Sequence, residues 1–255
     1  MVDLPAPCFP AFPGREAFAA GPPSLDVLNG LAAPRGLVTG GGKPLCFVAA
    51  TGAGGGDYER RAYVSGEVET RTGNLHDAFN ALAWLAMPLT KAAINRRHAG
   101  ALAIVPDVPG RRGALRDALA QFDECGVVVC TGDARLWELL RAHRWRELFH
   151  DRRTEVLARM RFLVLGHASL EALARPFAGL CGKAVPLAVD DAWLDMAAEA
   201  QWAAADRRLA GFLDATDLRP GDLQPLPFLG IPGLTADSEA GDYYDDRRQF
   251  RPRRR

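Results

Sequence analysis

The chain has 255 residues, 48% of them hydrophobic, which suits one large domain or two small ones and excludes a disordered chain. Acidic and basic residues number 31 each, so the net charge is +0, there is no bulk attraction to nucleic acid or an anionic membrane, and neither is an expected partner. Five scattered cysteines, Cys8, Cys46, Cys125, Cys130 and Cys181, contain no CxxC pair and predict free thiols in a reducing compartment. The N-terminal sequence has no leader pattern and no apolar run reaches the ~18 residues of a membrane span, so the expected location is cytoplasmic.

Residues 1–24 read as an irregular arm. Pro5, Pro7, Pro10, Pro13, Pro22 and Pro23 are too frequent for helix or central strand, while Phe9, Phe12 and Phe18 predict that the arm wraps a core. Pro44–Ala50 reads as a strand, the following TGAGGGD as a loop, and Arg61–Val68 as the returning strand of a hairpin. Asn74–Met87 and Thr90–His98 have helical periodicity, with Pro88 ending the first helix and Thr90 placed to cap the second. Ala101–Val105 and Gly126–Cys130 read as buried strands. Arg112–Gln121, Asp133–Ala142, Thr154–Ala174 and Asp190–Leu213 read as helices. Residues 220–255 form a second irregular arm, whose apolar residues should dock and whose arginine end should fray. Together these predict a single helix-rich α/β domain over residues 1–255, α+β being the alternative, with a small mixed sheet and two extended arms.

The glycine runs match no nucleotide-binding motif. Lys43 follows Gly42, but the first glycine position of a P-loop holds Leu37 and its Ser/Thr position holds Pro44. In GAGGGD the third glycine of GxGxxG falls on Asp57, and the strand expected next would supply no helix N-terminus for a pyrophosphate. No nucleotide cofactor is expected. His76-Asp77 shares two letters with the HD phosphohydrolases, but no histidine precedes it, and GHASL puts serine at the wrong offset for a nucleophile elbow.

Two helices carry polar residues where packing alone would not place them. If Thr154–Ala174 is one helix, His167 and Glu171 lie within about 20° of the centre of its apolar stripe, where they must pair, bond or face a cavity. On Asn74–Met87, the face opposite the apolar stripe carries His76, Asp77, Asn80 and Trp84, without a long charged side chain. Beyond the Pro88 bend, Lys91, Asn95 and His98 fall within about 60° of one another, and the bend can fold them toward His76 and Asp77. Such a set suits acid–base chemistry, or a divalent metal held by His76, Asp77 and His98. Asp123 and Glu124 could add carboxylates, although an ordinary acidic turn also accounts for them.

The stretch YVSGEVETRTGNLHDAFNALAWLAMPLTKAAINRRH, Tyr63 to His98, resembles the core signature of the bacterial domain-of-unknown-function family 3025. FDECGVVV, WRELF, FLVLGHASLEAL and PFLGIPGL follow in the same order, so the resemblance spans nearly the whole chain, with Leu234 standing where the pattern has tryptophan. The resemblance implies a single domain and supplies no activity. The candidate site is therefore His76, Asp77, Asn80, Lys91, Asn95 and His98, supported by His167 and Glu171, in a small-molecule or metal-dependent enzyme, a hydrolase being the best candidate. The alternative is a non-catalytic module binding a protein through the Trp84 face or an acidic partner through Arg251–Arg255. Clustering of the polar residues in a concave pocket favours the enzyme; a flat surface bearing Trp84, with His76 far from His98, favours the module.

Overall fold

The computed structural model describes residues 11–51, 55–104 and 113–253. Helix α1 (Leu25–Ala32) begins where the Ser24 hydroxyl accepts from the Val27 amide. Strands β1 (Cys46–Ala49) and β2 (Glu67–Thr70) pair in parallel, joined by helix α2 (Gly55–Ser65). The hairpin expected from Arg61–Val68 is thus corrected, because a parallel pair requires a crossover. Helix packing decides the conformation of this segment: Ala62 is buried and Arg61 reaches Glu67 and Glu69 on β2. Helix α2 begins at Gly55, inside the glycine run expected as a loop, and residues 52–54 of that run lie outside the described residues; the missing third glycine still speaks against a dinucleotide loop there.

Helix α3 (Leu75–Ala86) starts with the Asn74 side chain accepting from the Asp77 amide, and everything from Ala78 to Met87 is buried. Helix α4 (Pro88–Ile104) follows almost at once. Thr90 is not its cap. Pro88 takes the first helical position, and Asp206 accepts from the amides of Leu89 and Thr90 across 117 and 116 residues of sequence. Burial pushes the Asp206 carboxyl above its ordinary range, against the pull of those hydrogen bonds. The strand expected at Ala101–Val105 is also corrected: α4 continues to Ile104, and Val105 lies outside the described residues.

Helix α5 (Ala114–Cys125) runs directly into strand β3 (Gly126–Thr131), every residue of which is buried. Asp133 caps α6 (Ala134–Arg141). Next come α7 (Arg153–Arg159), β4 (Met160–Val164) and α8 (His167–Leu173) in place of the single helix expected over Thr154–Ala174. Residues Met160–Val164 pair antiparallel with β3, and that pairing overrides their helical periodicity. Strand β5 (Cys181–Ala188), which the sequence reading lacks, lies parallel to β3. Helices α9 (Asp191–Leu194) and α10 (Ala198–Ala215) divide the helix expected over Asp190–Leu213. Strand β6 (Gln224–Pro227), inside the C-terminal arm, pairs antiparallel with β5, giving a mixed sheet of order β4-β3-β5-β6.

The chain is therefore an α/β domain in which one hydrophobic core joins both sheets and reaches into both arms. Phe12 and Phe18 are buried in it, as are Phe228, Ile231, Tyr244 and Phe250; Phe9 lies outside the described residues. Cys46, Cys125, Cys130 and Cys181 are free thiols, and Cys8 lies outside the described residues. No helix among the described residues is long and apolar enough to cross a membrane.

Candidate functional site

The site forms where α3, α5 and α8 meet. α3 contributes His76 from its first turn, α5 contributes Asp123 and Glu124 from its last turn, and α8 contributes His167 at its first position and Glu171 one turn on. The junctions align because Leu165 and Gly166 both donate backbone N–H groups to the Gly126 carbonyl, seating the start of α8 against the end of α5.

At the outer end, His76 Nδ1 lies 2.9 Å from Glu171 Oε2. A carboxylate oxygen accepts, so this ring nitrogen carries the hydrogen and a neutral His76 turns its Nε2 lone pair the other way. That Nε2 faces Glu124 Oε2 at 4.0 Å, and the same oxygen lies 3.4 Å from His167 Nε2. The two imidazoles meet edge to face, with centroids 4.5 Å apart and planes at 73°. The neighbouring His167 holds the Glu124 carboxyl below its usual range in spite of partial burial.

Behind this pair the polarity continues inward. His167 is buried, and its Nδ1 has no hydrogen-bond partner among the described residues, although Asp123 Oδ2 stands 3.8 Å away. The other oxygen of Asp123 accepts from Lys91 Nζ, which also donates to Asn80 Oδ1 at 2.9 Å and lies 5.4 Å from the centre of the Trp84 ring. Asn80 in turn donates to the Tyr58 hydroxyl at 2.8 Å. Burial pushes the Asp123 carboxyl up, but the Lys91 ammonium, His167 and His98 outweigh it and leave it below the ordinary aspartate range. Burial drives the Tyr58 phenol upward, so it stays protonated and donates or accepts as a neutral hydroxyl.

The residues marked from sequence divide accordingly. His76, Asn80, Lys91, His167 and Glu171 belong to one connected set, but not in the pairing expected. Glu171 bonds His76 across 95 residues and not His167 four residues away. Asp77 is turned aside, accepting from the guanidinium and the backbone amide of Arg71. Asn95 is structural, its amide donating to the Glu59 carbonyl and carboxylate while its oxygen accepts from the Gly40 amide. His98 is buried on the inner side of Asp123. Asp123 and Glu124 are the hub and not an acidic turn; their place in the last turn of α5 could be read from helical spacing running on past Gln121.

Among the described residues, His76, Glu124 and His167 can offer ligand atoms to one ion, these atoms lying within 4.8 Å of one another. They replace the set His76, Asp77 and His98. Trp84 is only 2% exposed, so the surface required for docking through it belongs to the core. Two clefts of about 1000 and 440 Å³ run along the C-terminal arm past His143 and Trp145 and share no residue with the cluster. A model of the family described as "Protein of unknown function (DUF3025)" matches residues 45–254. No curated protein and no solved structure matches the chain.

Proposed function

This chain belongs to the DUF3025 family, and from the cluster at α3, α5 and α8 we propose that it is a small-molecule enzyme of the hydrolase class. One observation carries the reading. Among the described residues, three carboxylates, those of Asp123, Glu124 and Glu171, stand with two touching imidazoles against the Lys91 ammonium, while the Arg71 guanidinium near Glu171 is already committed to Asp77. Stabilising pairs are ordinarily matched one to one, because each buried or half-buried charge without a partner costs free energy. A surplus of proton acceptors gathered in one place is instead what activation of water requires.

The layering supports the same reading. The outer groups are accessible, with side chains of His76, Glu124 and Glu171 exposed to 33, 47 and 43%. The inner pair, Lys91 and Asp123, is almost enclosed and places a carboxylate oxygen 3.8 Å behind His167. Reactive groups held by a rigid, hydrogen-bonded backing are positioned without a further entropic penalty when substrate arrives. The chemistry that follows is attack of a water molecule on a small ester, amide or phosphoester, with a carboxylate at the open side taking the proton.

The test is a panel of chromogenic esters, anilides, phosphomonoesters and phosphodiesters, assayed with and without added zinc or manganese. Wild-type protein is expected to turn over at least one class. Glu124→Gln should lower kcat/KM about 100-fold, near 2.7 kcal/mol of transition-state stabilisation, while Asp77→Asn stays within a few-fold. Absence of turnover across the panel, or turnover indifferent to Glu124→Gln, overturns the reading.

A further inference from the structure

We propose that His76 Nε2, His167 Nε2 and a carboxylate oxygen of Glu124 bind one divalent transition-metal ion, zinc in the first instance. The proposal rests on the same cluster as the hydrolase reading and deepens it. Four independent features point to it.

The first is spacing. Zinc bonded at ~2.0–2.2 Å in a tetrahedron sets its ligand atoms about 3.4 Å apart. His167 Nε2 and Glu124 Oε2 already have that separation, at 3.4 Å, while His76 Nε2 lies 4.0 Å from the same oxygen. One ligand atom from each residue lies within 4.8 Å of the others, so closure takes at most about 1.4 Å of movement by side chains of which two are half-exposed. Both nitrogen–oxygen distances exceed the ~2.9 Å of a good direct hydrogen bond, so an ion can enter between these atoms without displacing a tight one.

The second feature is orientation. Metal-binding imidazoles commonly carry a carboxylate behind the ring, which holds the hydrogen on the remote nitrogen and aims the other lone pair at the ion. Here the arrangement is formed once: Glu171 accepts from His76 Nδ1 at 2.9 Å, which leaves His76 Nε2 on the side of Glu124. At His167 the Asp123 carboxylate stands 3.8 Å from a buried Nδ1 that has no hydrogen-bond partner among the described residues, so a small shift would complete the same backing.

The third feature is charge. Three carboxylates against the Lys91 ammonium leave two negative charges, which a divalent cation cancels. The fourth is donor type. Two imidazole nitrogens and one carboxylate suit zinc, manganese or iron(II) and do not suit calcium or magnesium, which take oxygen ligands. Three protein ligands on the half-exposed face leave a coordination position for water, as in catalytic and not structural zinc sites.

The experiment titrates chelator-treated, full-length protein with zinc chloride by calorimetry and with cobalt(II) as the optical probe. One ion per chain is expected, with the intense visible bands of four-coordinate cobalt. His76→Ala and Glu124→Gln should each weaken zinc binding at least 100-fold. Glu171→Ala, which removes only the backing carboxylate, should weaken it about 10- to 100-fold. Asp77→Asn, outside the set, should change it less than threefold. Because loss of the buried His167 endangers the fold, the half-exposed His76 and Glu124 carry the test, each variant being checked by circular dichroism. No zinc uptake by folded wild type, or uptake that survives both His76→Ala and Glu124→Gln, overturns the site. Zinc binding without hydrolysis of any panel substrate supports the site and overturns the hydrolase reading; hydrolysis without zinc uptake does the reverse.

Discussion

Asp123 is 8% exposed and its two oxygens serve different neighbours, one accepting from Lys91 and the other facing His167. Removing one partner of such a pair strands the other charge, so Lys91→Met should destabilise the protein by about 3–5 kcal/mol in urea unfolding. Replacing both, as Lys91→Met with Asp123→Leu, should recover most of that loss. The pH dependence has a definite sign. The Asp123 carboxyl lies below its ordinary 3.8 in the folded protein, so its contribution is present above about pH 4 and is lost as pH falls through the folded value. The stability gap between wild type and Lys91→Met should accordingly shrink on acidification, beginning above pH 4, where the stranded Asp123 of the variant, pushed up by burial, takes up its proton, and continuing as wild-type Asp123 protonates below pH 4. Sequence alone marked His167 and Glu171 as polar residues in an apolar stripe, His76 as part of a polar face without long charged side chains, and Lys91 by its spacing with Asn95 and His98. It could not assign their partners. Spacing carries information over one or two turns, and the decisive bonds join residues 95 and 32 positions apart.

At the scale of elements, the site depends on how closely the β4–α8 junction approaches the α5–β3 junction. Gly166 makes that approach possible: a Cβ there would stand 2.4 Å from the Gly126 amide nitrogen and 2.6 Å from the Cys125 Cα, both backbone atoms that cannot turn away. Gly166→Ala should cost about 2–4 kcal/mol and, by separating His167 from Glu124, weaken zinc uptake with it. Gly100 is the control. It lies within α4 with nothing among the described residues near its would-be Cβ, so Gly100→Ala should raise stability by up to about 1 kcal/mol. The same junction explains where the sequence reading failed. Thr154–Ala174 satisfies a helical pattern throughout, yet Met160–Val164 gains a full antiparallel ladder with β3 that local periodicity does not reveal. Short apolar runs fit both templates, and pairing with a strand far along the chain settles the choice. α3 and α6 were legible because their caps and stripes are local, and α5 by its stripe alone.

For the whole molecule, the C-terminal arm is part of the core and not an appendage to it. β6 completes the sheet against β5, and Leu223, Leu226, Phe228, Ile231, Tyr244 and Phe250 are each at most 6% exposed. Burying an aliphatic or aromatic side chain contributes about 1.5–3 kcal/mol. Six such residues together exceed or match the ~5–15 kcal/mol by which a domain of ordinary stability stays folded. Truncation after Asp217 should therefore leave no cooperative unfolding transition, and the exposed face of β5 should drive aggregation. Truncation after Arg251 tests the opposite limit. The Arg251 carbonyl still accepts from the Trp145 indole at 2.8 Å, and the Pro252 and Arg253 side chains beyond it are exposed. Its melting temperature should fall within about 2 °C of the full chain. A cooperative transition surviving in the shorter protein would show that the core closes without β6, and the arm would then be a cover over a domain already complete.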